Sequence, residues 1–288
     1  MKQSTSLRDL IRRTNDLWAG NWGPSFAVVI IVGFLICGLG LLVPVFSKAL
    51  LFEGLDLMRL GVLIVSFLPL VLFAGPLATG TSSYFLSVAE NDHPKVGSIF
   101  QGFERFKTSN AVFLLTAFWC FLWCLLLAII VFGGLFGLSM LTKTVTISSF
   151  MTSDALSSIG GAFGLLLLVV VLFAIVGCVG LFWVFFRHSL VLFAFVENPE
   201  AGAASAAKHG LSLIRGHYGI LFRAWGLLIL LFFLLAAIIF GLNYLFMSIG
   251  FPRLAVIFES IIGIYFGLFV CAYPMIFLAV LYEDVRDK

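Results

Sequence analysis

An arginine and a histidine, Arg187 and His188, stand side by side in an apolar passage, and the run Ser189 to Val196 follows before an acid, Glu197, closes it. An ionisable residue at depth in a bilayer is costly and is by default a candidate for function. A guanidinium beside an imidazole is the chemistry that holds an anionic headgroup or a small anionic solute. Two other apolar passages also end on acids, Glu90 and Glu283. Setting the three acids level puts Gly80 and Thr81, Arg187 and His188, and Tyr273 and Pro274 at one depth. The spacing therefore predicts a cytoplasm-facing polar cavity lined by Thr81, Ser82, Ser83, Tyr84, Arg187, His188 and Tyr273. If the passage ends at Glu197, Arg187 lies about 15 Å inside that end. If it ends at Phe186, the residues beyond lie along the interface. A water-filled vestibule with Arg187 snorkelling outward is the structural alternative.

Glu259 is an ionisable residue within an apolar stretch, six residues beyond Arg253. An ion or substrate contact is its functional reading; pairing with Arg253, Asn243 or Tyr244 is its structural one. The histidines (His93, His188, His209, His217) lie in or beside positive segments without metal-ligand spacing. Cys120 and Cys124 share a helix face, but no His or carboxylate accompanies them. No metal and no cofactor is expected. Motifs for nucleotide cradling, zinc proteolysis or a nucleophile elbow do not appear. The function read from these residues is non-enzymatic: binding or translocating a lipid or a small amphiphilic or anionic solute. The alternative is a structural or assembly protein that recruits a partner through cytoplasmic amphipathic helices.

What must position such a site is a membrane bundle. Of 288 residues, 62% are hydrophobic and only 11% charged, against about a quarter charged in a water-soluble domain. Six passages reach the roughly 20 apolar residues a crossing needs: Phe26 to Phe46, Leu60 to Val88, Ala111 to Leu141, Gly160 to Phe186, Ile220 to Met247 and Leu254 to Tyr282. None alternates as a membrane β-strand would. The predicted fold is all-α, a polytopic bundle of six transmembrane helices in one membrane domain.

Thirteen of the 17 Lys and Arg fall at the N-terminus, after the second and fourth passages, and in the tail; Lys48, Arg59, Lys143 and Arg253 are the rest. This bias predicts that both termini are cytoplasmic. The net charge of +3 points to anionic headgroups of the inner leaflet as partners and not to nucleic acid. Amphipathic segments precede the odd passages: Leu7, Leu10, Ile11, Leu17 and Trp18; then Val96, Ile99, Phe100, Phe103 and Phe106; then Ala204, Ala207, Leu211 and Ile214. Three parallel two-span repeats follow, approximately 5–92, 93–198 and 199–285, each with a cytoplasmic interfacial helix leading into its first span. Gly20, Trp22 and Gly23, and again Gly216, Tyr218 and Gly219, are predicted interfacial hinges where the chain turns from the membrane plane into the membrane. Gly133 with Gly137, Gly160 with Gly164 and Gly263 with Gly267 have the spacing that brings helix backbones together. A polar loop is expected from Lys143 to Ser158.

Several stretches carry a family likeness: LWAGNWG at Leu17 to Gly23, SIFQGFERF at Ser98 to Phe106, Leu122-Trp123, the passage from Phe195 to Phe222, and YPMIFLAVLYEDV at Tyr273 to Val285. Together they resemble the bacterial integral membrane proteins grouped as domain of unknown function 975, over nearly the whole chain. The Ile-Pro-Gly element frequent late in the third span of such proteins is missing. The resemblance implies a multi-span cytoplasmic-membrane protein, distantly akin to membrane domains that accompany glycerophosphodiester phosphodiesterases, and brings no catalytic residue.

Overall fold

The computed structural model describes residues 6–51, 57–149, 177, 179–180, 183–184, 186–248 and 252–286, and every regular element among them is helical. The elements are α1 (Leu7–Leu51), α2 (Leu57–Ala89), a 3₁₀ segment (Val96–Phe103), α3 (Phe106–Ser149), α4 (Val191–Glu197), a 3₁₀ turn (Pro199–Ala201), α5 (Gly202–Ile214), α6 (Tyr218–Ser248) and α7 (Pro252–Arg286). Among the described residues, four stretches are long and apolar enough to cross a bilayer: Leu7–Gly38, Phe106–Ile130, Tyr218–Phe246 and Glu259–Arg286. The protein is thus a helical membrane protein. Of the other two expected crossings, Leu60 to Val88 falls within α2, and most of Gly160 to Phe186 lies outside the described residues. The polar loop expected from Lys143 starts instead as helix, because α3 runs on to Ser149.

Residues 1–114 and 188–288 form one compact unit and residues 115–187 another. These boundaries cut across the expected repeats. In the second unit, α3 meets the stretch that follows it through glycines: a β-carbon at Gly180 would lie 2.8 Å from the Trp123 ring, and one at Gly177 would overlap Leu127.

In the larger unit, α1 is one helix of 45 residues. The hinge expected at Gly20, Trp22 and Gly23 is not made: helix runs through all three, and neither glycine has a positive φ. Each interior glycine costs only about 1 kcal/mol against alanine, which tertiary packing outweighs. Leu10, Thr14, Asn21, Ser25 and Val28 form a buried stripe at helical spacing. Two of its polar members are satisfied within the helix, as Thr14 Oγ1 donates to the Leu10 carbonyl at 2.8 Å and Asn21 Nδ2 to that of Leu17 at 3.1 Å. A β-carbon at Gly20 would meet nothing within 4 Å. Gly20→Ala is therefore expected to raise stability by about 0.5–1 kcal/mol in thermal unfolding of the detergent-solubilised protein; a loss would mean that Gly20 serves a conformation other than this helix.

At the second expected hinge the helix is interrupted. Arg215 to His217 make a turn between α5 and α6, with Gly216 at φ 94°, a conformation that favours glycine. Tyr218 starts α6, and Gly219 lies within it.

Before α3, the amphipathic segment is 3₁₀ rather than α-helical. With three residues per turn, Val96, Ile99 and Gly102 share one face, and Gly97, Phe100 and Phe103 the next. Ile99 is fully buried, and the Phe103 ring lies 5.8 Å from that of Phe73 on α2. Glycines set the depth of this packing: a β-carbon at Gly80 would run into the Ile99 carbonyl, and one at Gly102 into the Pro76 carbonyl. Ser109 Oγ donates to the Gly102 carbonyl at 3.0 Å, tying the first turn of α3 to the segment.

α5 starts at Gly202 after the 3₁₀ turn, and its buried face is Ala206, Ala207, Gly210 and Ile214, so Ala207 and Ile214 of the expected face are buried and Ala204 is exposed. A β-carbon at Gly210 would sit 2.7 Å from Val191 Cα, so α5 lies close on α4. α1 and α7 join through aromatic rings: Trp18 is 5.4 Å from Phe269, and Phe26 is 5.3 Å from Tyr265. Outward faces are apolar, with Phe34 77% and Phe240 76% exposed. Patches of this kind on an isolated protein mark contact with lipid or with another protein.

Candidate functional site

The three acids that close apolar passages come together. Arg286, in the last turn of α7, donates to Glu90 Oε1 at 3.2 Å and to Glu197 Oε1 at 3.1 Å. Arg13 of α1 donates to Glu283 Oε2 at 2.6 Å and to the Ala89 carbonyl at 3.1 Å, where α2 has a free C-terminal carbonyl. The Tyr282 hydroxyl donates to Glu197 Oε2. The start of α1 and the ends of α2, α4 and α7 therefore meet at one pole. These side chains are partly exposed, so each pair contributes only some 0.2–1 kcal/mol.

The side chains of the expected polar cavity are dispersed. Thr81 donates to the Leu77 carbonyl at 2.6 Å and borders an apolar cavity, whereas Ser83 borders a different, polar one. Ser82 is buried and donates to its own helix at the Ala78 carbonyl. Tyr84 is fully buried beside Ser25, their hydroxyls near each other without good hydrogen-bond geometry. Tyr273 donates to Asn15 Oδ1 at 2.7 Å across α7 and α1. His188 is buried at the edge of the larger unit, while Arg187 is exposed and ends the smaller one. Helix breaks after His188, at Ser189 and Leu190, and the following apolar run becomes α4, buried in protein. Glu259 is exposed on α7; the side chains of its expected partners Arg253 and Asn243 lie outside the described residues, and Tyr244 is exposed on α6.

Two cavities of the larger unit are bordered by α2, α3 and α4. The apolar one, about 480 Å³, is lined by Ala74, Ala78 and Thr81 of α2, Phe113 of α3, Leu192 of α4 and Met275 of α7. Ala74, Ala78 and Thr81 stand at i, i+4 and i+7, one face of α2. The small alanines leave the space. Ile36 and Val71, 38% and 37% exposed, are at its edge, so it opens sideways between α1 and α2. The polar cavity, about 330 Å³, is bordered by Thr79, Ser83, Gln101, Glu104, Arg105 and Ser109. It meets another face of α2; Ser83 is nearer than Thr81 to the end of α2, and Phe195 and Val196 are nearer than Leu192 to the end of α4.

Asn110 stands on α3 between the Ser109 and Phe113 levels. It is 8% exposed, and neither its amide nitrogen nor its oxygen has a partner. It presses on α2, where a β-carbon at Gly75 would be 2.7 Å from Asn110 Cα. A buried, unpaired carboxamide costs on the order of 1–3 kcal/mol, which marks the position for explanation. Charged residues drew attention to Arg187 in the sequence. The alanines that open the apolar cavity carry no comparable signal, because space between helices is a tertiary property.

Comparison of the chain with protein-family models, with curated proteins and with solved structures finds no match. The functional reading rests on the geometry.

Proposed function

We propose that this protein is a non-enzymatic membrane protein that binds, and in a working cycle moves, a lipid or small amphiphile within its helical bundle. The observation that carries the reading is the apolar cavity among α1, α2, α3, α4 and α7, lined by Ala74, Ala78, Phe113, Leu192 and Met275 and open at Ile36 and Val71. Its volume falls within the roughly 300–1,000 Å³ usual for ligand pockets. Filling it with hydrocarbon recovers about 25 cal/mol for each Å² of apolar surface removed from water.

The same proposal takes the chain as six crossings in three two-span returns, with both termini on the cytoplasmic side of a bacterial membrane and anionic lipid at that surface. The meeting of the α1 start with the α2, α4 and α7 ends supports the returns, and the placement of Lys and Arg supports the orientation. A scaffold recruiting partners through its amphipathic segments needs their apolar faces free. Ile99 and Ile214 are fully buried and α5 is packed on α4, which favours the binding reading.

Native mass spectrometry of the full chain released from a mild detergent tests this. The expected spectrum contains a species heavier than the protein by one phospholipid, persisting at collision energies that strip detergent. A protein that carries only detergent after purification from its native membrane, and takes up no lipid when membrane lipids are added back, would contradict the proposal.

A further inference from the structure

The apolar cavity suits a hydrocarbon chain in length as well as in polarity. On α2 its lining runs from Leu70 to Thr81, a span of about 16 Å at 1.5 Å per residue. The hydrocarbon of one leaflet is about 15 Å deep, half of a core of roughly 30 Å. Resting on the proposed function, we infer that this cavity holds one acyl chain of a lipid, upright along α2 with its head toward the pole of joined helix ends, and that it selects by the chain rather than by the head group.

The direction follows from where the lining residues fall on their helices. Thr81 stands nine residues before Glu90 on α2, Met275 eight before Glu283 on α7, and Leu192 five before Glu197 on α4, so these three mark the end of the cavity that faces the pole. Leu70 and Val71 of α2 mark the far end, with Val32 and Ile36 of α1 across from α2. Leu70, Ala74, Ala78 and Thr81 stay partly exposed along the whole length, which leaves a chain room to lie against all four.

The lining offers a head group little to read. Its polar side chain, Thr81, spends its hydroxyl proton on the Leu77 carbonyl at 2.6 Å. Thr79 and Ser83, each two residues away and so about 200° around the helix, border the separate polar cavity together with Glu104 and Arg105. A ligand here meets hydrocarbon, and the free energy gained scales with the apolar area covered. Chain length enters that sum and head chemistry does not. Met275, unbranched and adaptable, accommodates chains of differing shape.

The test uses the full chain in vesicles of phosphatidylethanolamine and phosphatidylglycerol, with traces of phosphatidylethanolamine carrying a photoreactive diazirine either near the glycerol or near the methyl end of one chain. The first probe is expected to crosslink to Thr81, Leu192 or Met275, and the second to Leu70 or Val32. The reverse order, or the same residues with both probes, would overturn the upright placement; crosslinks confined to outward residues such as Phe34 and Phe240 would overturn occupancy of the cavity. Probes alike in chain but bearing phosphoethanolamine, phosphoglycerol or phosphocholine heads are expected to label Met275 within about twofold of one another, and halving the chain length to lower that labelling at least fivefold. A fivefold preference for one head, or indifference to length, would overturn selection by the chain.

Ala78→Phe fills the middle of the cavity and is expected to cut labelling of Met275 at least tenfold, with Ala78→Leu as a smaller filler read in the same way; undiminished labelling in either folded variant would overturn the placement. Protein that is labelled nowhere inside and retains no lipid removes the proposed function as well. Lipid found in the cavity but chosen by its head removes this inference alone.

Discussion

Gly80→Ala is expected to destabilise the protein by about 3 kcal/mol, at the upper end of what overpacking costs. The added methyl would occupy the space of the Ile99 carbonyl. That neighbour is backbone, held in the 3₁₀ segment, and no rotamer change can move it aside. Gly102→Ala meets the Pro76 carbonyl from the opposite side of the same contact and is expected to behave alike. Thermal unfolding in detergent reads both, with Gly263→Ala as the control: a β-carbon there meets nothing within 4 Å, and its melting temperature should hold or rise. Equal tolerance of all three would mean that the 3₁₀ segment does not dock on α2 as described.

Arg286→Glu is expected to cost about 2 kcal/mol, through the loss of two ion pairs and the like-charge contact that replaces them. The arginine holds Glu90 and Glu197 together, and Glu197 also accepts from Tyr282. Reversal places a third carboxylate among them. Because these side chains are a quarter to a third exposed, the loss should shrink as salt is raised through a few tenths molar. Combining Arg286→Glu with Glu197→Arg should recover a large part of it, giving a favourable coupling in the double-mutant cycle. A salt-independent loss with no recovery would place the effect in local packing rather than in the charges.

Class was legible from composition, since a chain with so few charges has no means of covering a water-soluble surface. The acids at 90, 197 and 283 were legible as the ends of apolar runs, and they meet at one pole, Glu90 and Glu197 on Arg286 and Glu283 on Arg13. The presence of α5 was legible from its periodicity, and its buried face in part, at Ala207 and Ile214: Gly210 and Ala206 pack because they are small, and apolarity alone does not rank small residues against Ala204 or Leu211. The segment at Val96 to Phe103 carries an amphipathic pattern compatible with either helix type, and Gly102 pressed on α2 accompanies the 3₁₀ form. Gly20 and Gly23 resembled Gly216 and Gly219 in sequence, yet only Gly216 takes a positive φ. A glycine permits a turn without requiring one.

Glycine spacing misled in the same way. Gly263 and Gly267 have room around them, and the close contacts belong to Gly75, Gly80, Gly102, Gly177, Gly180 and Gly210. The cavity expected around Arg187 followed from charge at depth, whereas the space that opens follows from Ala74 and Ala78 facing Phe113 and Met275. Which helices face one another decides that, and no local pattern encodes it.

A cryo-electron-microscopy map of the full chain in nanodiscs of bacterial phospholipids tests the binding claim most directly. The expected map has elongated density beside Met275 and Phe113, within the cavity lined by Ala74, Ala78 and Leu192. Helices closed over that space, with ordered lipid only on the outward faces of α1 and α6, would contradict it.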